Sequence, residues 1–380
     1  MRVFPIGVLL PLLVLGVMVC AQESGLRIVD PVAGAYVSGE YEVVLASDQA
    51  EEIVRTRLFL NEGLIQQEEG WQPGVTIDFG PEVVAHSLRA EADLDSGKTL
   101  VSEVVRTKAL RVDYVETSRA ILISAVVKNR RNEHLTGLRR DHFEVFEDGK
   151  ALEIQSFHNE TLPLDLVMVL DTSSSLREGI EDLKRAAELF LNQLGPGDLV
   201  SLFEIKNEPL KIQKFTSDRK LLRQQIGAML PLGQTALFDS LKAALKDLPE
   251  KRRGRRTIVL FTDGRDSVYE EPSRKAELLR SIITEAQNKE VSLFTVGQGK
   301  RVNQAALTRM AEETGGRFLY TEHPGRLSEV FQEIVLDLKH QYVLGVLPIS
   351  RKFGFHRLEV NVKKRGTTVY SRKGYTLTSP

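Results

Sequence analysis

LDLVMVLDTSSS, residues 164–175, decides the fold. Its apolar run is too short to span a membrane and lacks the alternation of a half-exposed sheet, so it predicts a strand buried on both faces. TIVLF (257–261) and VSLFTV (291–296) are runs of the same kind. Helical periodicity separates and follows them over 177–194, 218–229, 236–248, 273–289, 303–314 and 325–341. In the first of these helices Ile180, Leu183, Ala187, Phe190 and Leu194 share one face. Strands buried on both faces and alternating with helices predict an α/β fold built on a doubly wound, Rossmann-like sheet. DLVSLFEI and PLKIQKF predict a strand pair meeting at Asn207 and Glu208.

Outward from this core the pattern changes. Residues 26–110 alternate apolar and polar positions in short runs (YEVVLAS, RTRLFLN, SLRAEADL) broken by turn chemistry, which predicts an antiparallel β domain. Residues 111–160 are again strand-rich, with Glu147-Asp148-Gly149-Lys150 as a hairpin turn. Residues 342–378 return to β alternation, with a turn at Arg365-Gly366-Thr367, and these last strands are expected to pair with those of 111–160. The α/β domain is placed at 162–341. At the N-terminus, Met1 and Arg2 precede an apolar run from Val3 to Val19, and Val19-Cys20-Ala21 supplies a cleavage motif. This predicts a signal peptide over 1–21 and a secreted or periplasmic protein. The competing readings are an uncleaved anchor or a lipid on Cys20. No later segment is long and apolar enough to span a membrane.

Composition excludes several classes. Lys+Arg 51 against Asp+Glu 52 leaves a net charge of -1, so no global imbalance points to nucleic acid. A single cysteine, Cys20, rules out an internal disulfide framework and a cysteine-based zinc or iron–sulfur site. The cluster Lys251-Arg252-Arg253-Gly254-Arg255-Arg256 reads as a solvated loop before the TIVLF strand. Trp71 reads as core, and Asn159-Glu160-Thr161 fits a glycosylation sequon.

In a doubly wound sheet, the loops after the carboxyl ends of the strands converge. Three such loops carry oxygen donors: Asp171-Thr172-Ser173-Ser174-Ser175, Gly233-Gln234-Thr235 and Thr262-Asp263-Gly264. Alternate side chains of an extended turn, Asp171, Ser173 and Ser175, can face one point. Two carboxylates and three hydroxyls without histidine or cysteine suit a hard cation, magnesium or manganese. By itself DTSSS also suits an N-cap before the following helix. A serine hydrolase would want Gly-x-Ser-x-Gly and a base, whereas TSSSL has no glycine and no histidine lies in these loops. Nor does a Gly-rich phosphate loop with lysine occur, so no enzymatic reading has positive support.

At these residues the chain resembles a von Willebrand factor A-type domain, whose Asp-x-Ser-x-Ser, distal threonine and distal aspartate form a metal-ion-dependent adhesion site. Asp171, Ser173, Ser175, Thr235 and Asp263 stand at those five positions. VLFTDG, LFTVGQG and LTRMAEETGGRF also resemble later elements of the family. Ser174, Leu176 and Gln234 depart from it, and Ser174 stands at a usual glycine, which matters if that position needs positive φ. The flanks GLRRDHFEVFEDGKALEIQSF and QYVLGVLP look like those of a bacterial exported subfamily. Residues 26–110 resemble bacterial immunoglobulin-like β-sandwich domains in general pattern. The resemblance implies that Ser173, Ser175 and Thr235 bind Mg2+ (or Mn2+) directly, and that Asp171 and Asp263 bind it directly or through water. An Asp or Glu of a protein partner would take a remaining position. The alternative is a structural envelope or assembly component in which the ion only stabilises the fold.

Overall fold

The computed structural model describes residues 25–37, 39–80, 84–109, 120–159, 162–195, 197–249, 254–264 and 266–377. The leader 1–21, Cys20, and residues Glu160 and Thr161 of the sequon lie outside them.

The strand Leu164–Asp171 is buried at all eight positions. Its side chains divide by the two-residue period of a strand. Leu164, Leu166, Met168 and Leu170 join one core with α1 (Ile180–Leu191), α2 (Arg219–Ala228) and α6 (Leu327–Lys339). Val167 and Val169 join a second core with α3 (Leu237–Asp247), α4 (Pro272–Asn288) and α5 (Gln304–Thr314). The sheet has six strands in the order Pro209–Thr216, Leu199–Ile205, Leu164–Asp171, Arg255–Thr262, Val291–Gln298, Phe318–Thr321. All pairs are parallel except the antiparallel edge pair 199–205 with 209–216, where Ile205 faces Pro209 across the predicted turn. Helix α1 starts at Ile180 rather than 177, because residues 174–176 form a tight 3-10 turn. Helix α6 ends at Lys339, and Gln341 opens a strand instead of closing the helix.

Residues 26–106 form an antiparallel sandwich. One sheet holds Leu26–Asp30, Glu40–Ser47 and Gly74–Asp78; the other is built on Ile53–Leu60 and Ser87–Leu94. Along Ser87–Leu94 every second residue is buried, which turns one face into the core. Trp71 packs, partly buried, against that core.

The flanks of the α/β domain interleave. Ile121–Asn129 lies between Gln341–Val346 and Thr367–Ser371, Ile154–His158 pairs with Gln341–Val346, and Phe143–Glu147 pairs with Gly354–Val362. Two four-stranded sheets result, each mixing strands from both sides of the domain, around one apolar core. Asp148 (φ 48°) and Gly149 (φ 80°) turn the hairpin in which Glu147 faces Lys150, as a two-residue primed turn requires. The turn at Arg365 and Gly366 closes no hairpin, since the strands on either side of it belong to different sheets.

The basic stretch before the third apolar run corrects the sequence reading. Arg255 and Arg256 are strand residues, and Arg255 is 5% exposed. Its guanidinium donates to the carbonyl of Leu162 at 2.9 and 3.0 Å, to Gln341 Oε1 at 3.0 Å and to the carbonyl of Leu338. Buried oxygens at the entrance and exit of the domain, not solvent, accept these four hydrogen bonds from its guanidinium. Arg256 likewise donates to the carbonyls of Pro249 and Lys289. Residues 251–253 lie outside the described set.

A second buried cluster joins the interleaved strands to α6. Asp337 is wholly buried and meets Lys128 Nζ at 2.9 Å, His134 Nε2 at 2.7 Å and an Arg317 guanidinium nitrogen at 2.6 Å. Burial alone would raise its carboxyl, but His134, Arg317 and Lys128 outweigh burial and hold it below the ordinary aspartate value of 3.8. Asp337→Asn leaves Lys128, itself 2% exposed, without its counter-charge, and we expect a loss of about 3–5 kcal/mol at neutral pH in urea unfolding. Because the folded pKa is depressed, this contribution is complete above 3.8 and disappears as pH falls through the lower folded value. The gap between wild type and variant should therefore stay constant near neutrality and narrow only in strong acid. A gap that widens in acid would refute the assignment.

Candidate metal centre

The site begins where the buried strand runs out. In the parallel register Leu170 faces Phe261, which sets Asp171 beside Thr262. Thr262 Oγ1 donates to Asp171 Oδ2 at 2.6 Å, and the backbone N–H of Ser173 donates to Asp171 Oδ1 at 3.0 Å. The second bond is a local Asx-type turn that bends the chain out of the strand. It brings Ser173 Oγ to 3.0 Å from Ser175 Oγ, and Ser175 Oγ donates to Asp263 Oδ1 at 2.9 Å. Thr235 lines the same cleft of about 580 Å³ as Ser173 and Ser175. A Cβ built on Gly264 would lie 3.7 Å from its Oγ1, so the third loop closes against the second. Asp171, Ser173, Thr235 and Asp263 are buried, whereas Ser175 is exposed at the mouth.

The three loops hold one another. The backbone N–H and the hydroxyl of Ser174 both reach the Gly233 carbonyl at 3.1 Å. Ser174 sits in the 3-10 turn and is not among the positive-φ residues, so serine in place of the usual glycine strains nothing and adds a staple. The left-handed position is Gly233 instead, at φ 87°, where a Cβ would also stand 2.9 Å from Asn207 Oδ1. That same Asn207 oxygen accepts the Gln234 N–H at 2.8 Å, and Ser267 Oγ accepts the Thr235 N–H at 2.9 Å. Asp266 accepts the N–H groups of Phe238, Val268 and Tyr269, tying the third loop to the start of α3. Sequence reasoning missed Thr262, Asn207, Ser267 and Asp266, since each acts across strands or loops far apart in the chain. Only Thr262, adjacent to Asp263 and at the end of a strand neighbouring Asp171, carried a usable signal.

Burial pushes the Asp171 carboxyl up to about 6, against the hydrogen bond from Thr262 and with the help of the nearby Asp263 charge. Burial raises Asp263 too, while Ser175 and Arg301 pull it back. The Arg301 guanidinium stands 3.5 Å from Asp263 Oδ2 at the rim, beside Lys300. Among the described residues no three His, Cys, Asp or Glu side chains cluster as a metal site, so the centre relies on hydroxyls as well as acids. This donor set fits a hard divalent cation. Its oxygens match the preference of such ions, and Asp171, wholly buried, has no cation among its partners, while Asp263 meets only Arg301 at the rim.

The sequence of this domain also matches known proteins. Residues 165–333 match the family described as the von Willebrand factor type A domain. An uncharacterized protein of Synechocystis sp. is 23% identical over 239 residues, covering 58% of this chain and 56% of that one. The minor fimbrium subunit Mfa5 of Porphyromonas gingivalis is 32% identical over 114 residues, covering 27% of this chain and 9% of its own length. A solved structure of proximal thread matrix protein 1 from the mussel byssus, with a zinc-occupied MIDAS motif, aligns with TM-score 0.41 and 19% identity, covering 50% of this chain and 48% of that one. The chain thus spans about half the length of the first of these relatives and a small part of the second. From the strand that ends in Asp171 to helix α6, the chain carries a von Willebrand factor type A domain.

Proposed function

We propose that the protein is an exported, cation-dependent binding module that captures an acidic residue of a protein partner. Domains of this family serve in general as protein-binding modules rather than enzymes. The observation that carries the reading is the hydrogen-bonded run Ser173–Ser175–Asp263, closed below by Asp171 and across the cleft by Thr235. In this reading the hydroxyls of Ser173, Ser175 and Thr235, with Asp171 and Asp263, hold Mg2+ or Mn2+. The ion supplies a positive charge with an exchangeable coordination position. The chain's own residues do the rest: Asp171 and Asp263 bring the charge of the loaded centre near neutral, so an incoming carboxylate meets little repulsion, and the buried floor shields it from water. Export rests on the leader at 1–21 and is in keeping with the fimbrial relative. The second reading, an envelope or assembly component in which the ion only stabilises the domain, predicts binding that is indifferent to chelation.

Magnesium at about a hundred times its Kd should stabilise the full chain by about 2.7 kcal/mol, read as a raised Tm. Asp171→Ala should abolish that rise and Ser174→Gly should keep it. A rise unchanged in Asp171→Ala would remove the site.

A partner recovered by pull-down from envelope extract in magnesium should be released by EDTA. Thr235→Ala and Asp263→Ala should lose it at matched circular dichroism. Full capture in EDTA by both variants would instead favour the structural reading.

For export, the intact mass of the protein recovered from an expressing cell's envelope or medium should correspond to a chain that begins at Gln22. A mass that includes Met1, or a lipid on Cys20, overturns the released form.

A further inference from the structure

A second feature lies on the interleaved β module and owes nothing to the metal loops. Asn129 faces Thr367 in the antiparallel register, so the turn after the strand Ile121–Asn129 lies beside the turn before Thr367–Ser371. Arg130 and Arg131 on the first turn, and Lys363, Lys364 and Arg365 on the second, are all exposed. Between the turns is a cleft of about 370 Å³. Gly366, at φ 74°, lets them close: a Cβ there would stand 2.7 Å from Arg130 Nε, so Arg130 lies across the opposite turn. Glu133, the carboxylate in the cleft lining, accepts from Asn129 Nδ2 at 2.7 Å. Lys363 reaches Glu144 at 3.7 Å with both side chains about half exposed. Among the described residues, no ion pair within 4.0 Å uses Arg130, Arg131, Lys364 or Arg365.

Five like charges held on two abutting turns of a chain whose net charge is -1 repel one another, and a polyanion relieves that repulsion. Guanidinium forks match phosphate oxygens in pairs. The cleft lining has no aromatic side chain on which a base could stack, which argues against single-stranded nucleic acid. The module also meets the C-terminal ends of three helices, through Thr376 N–H to Asn288 of α4, Lys373 N–H to the Glu313 carbonyl of α5, and Lys128 to Asp337 of α6. The metal loops leave the carboxyl ends of the strands, which is the other end of a doubly wound domain.

We propose that the paired turns 129–133 and 363–366 form a binding site for multivalent phosphate, presented as an anionic lipid surface or as a free phosphate polymer. The test uses the full chain in EDTA. Sedimentation is compared with vesicles of phosphatidylcholine alone and of an equal mixture with phosphatidylglycerol, and long-chain inorganic polyphosphate is titrated separately. Binding to the mixed vesicles or to polyphosphate, weakened by added salt, is expected, and the tighter of the two names the source. Arg130→Gln with Arg365→Gln should weaken it about twenty-five-fold, at roughly fivefold per basic residue. A charge-matched control, Arg27→Gln with Arg185→Gln, should change it less than about twofold by the same rule, both residues being exposed and outside the cleft lining. The proposal is overturned by equal binding to neutral vesicles, by equal losses in the two double variants, by no binding to either phosphate source, or by duplex DNA binding more tightly than both sources at matched phosphate. Because EDTA is present throughout, failure here leaves the cation-dependent reading untouched, and failure of that reading leaves this one standing.

Discussion

Burying a carboxylate at the end of an apolar strand is the constraint on which the rest of the site depends. Asp171 is wholly desolvated, and an acid in that position must find donors nearby. It finds one across the sheet in Thr262 and one along the chain in the Ser173 N–H. The first bond couples two parallel strands; the second forces the turn that aims Ser173 and Ser175 into the cleft. Satisfying one buried acid therefore positions hydroxyls from its own loop and an aspartate from another.

The same logic governs how the α/β domain is joined to its surroundings. Its entrance and exit lie side by side because Ile154–His158 and Gln341–Val346 pair, and both border the core of the β module. Arg255 closes that junction by donating to carbonyls on either side of it, at Leu162 and Leu338. Asp337 closes it again by gathering Lys128, His134 and Arg317. Removing one member of such buried polar clusters costs far more than their net contribution, since the remaining charge stays desolvated. The module is in this sense part of the domain's foundation, and it leaves the loops that carry Asp171, Thr235 and Asp263 free at the other end.

Much of this was legible without coordinates. Apolar runs at 164–170 and 257–261 could only be strands covered on both faces, and the intervening 3.6-residue periods marked the helices to within a few residues. Asp171, Ser173, Ser175 and Asp263 were legible as candidates because strand ends in such a sheet converge, whereas Thr235, on the loop between α2 and α3, was legible only through the family resemblance. The helix starts were less so: of Arg177 to Gly179 only the glycine argues against helix, and the 3-10 turn at 174–176 is held by Ser174 bonding to Gly233, 59 residues away.

What the sequence determined by itself was the class of fold, the order of its elements and the chemistry of the donors, because periodicity and residue type are local properties. What only the tertiary structure decided was which partners buried groups would find. Arg255 and Arg256 looked like members of a solvated basic loop, yet Arg255 became an internal clamp once folding set two carbonyls against it. Arg130 and Arg365, unremarkable 235 residues apart, became neighbours because Asn129 and Thr367 share a register. Hydrogen bonds and charge pairs depend on separation in space, and separation in space is settled only when the sheets close.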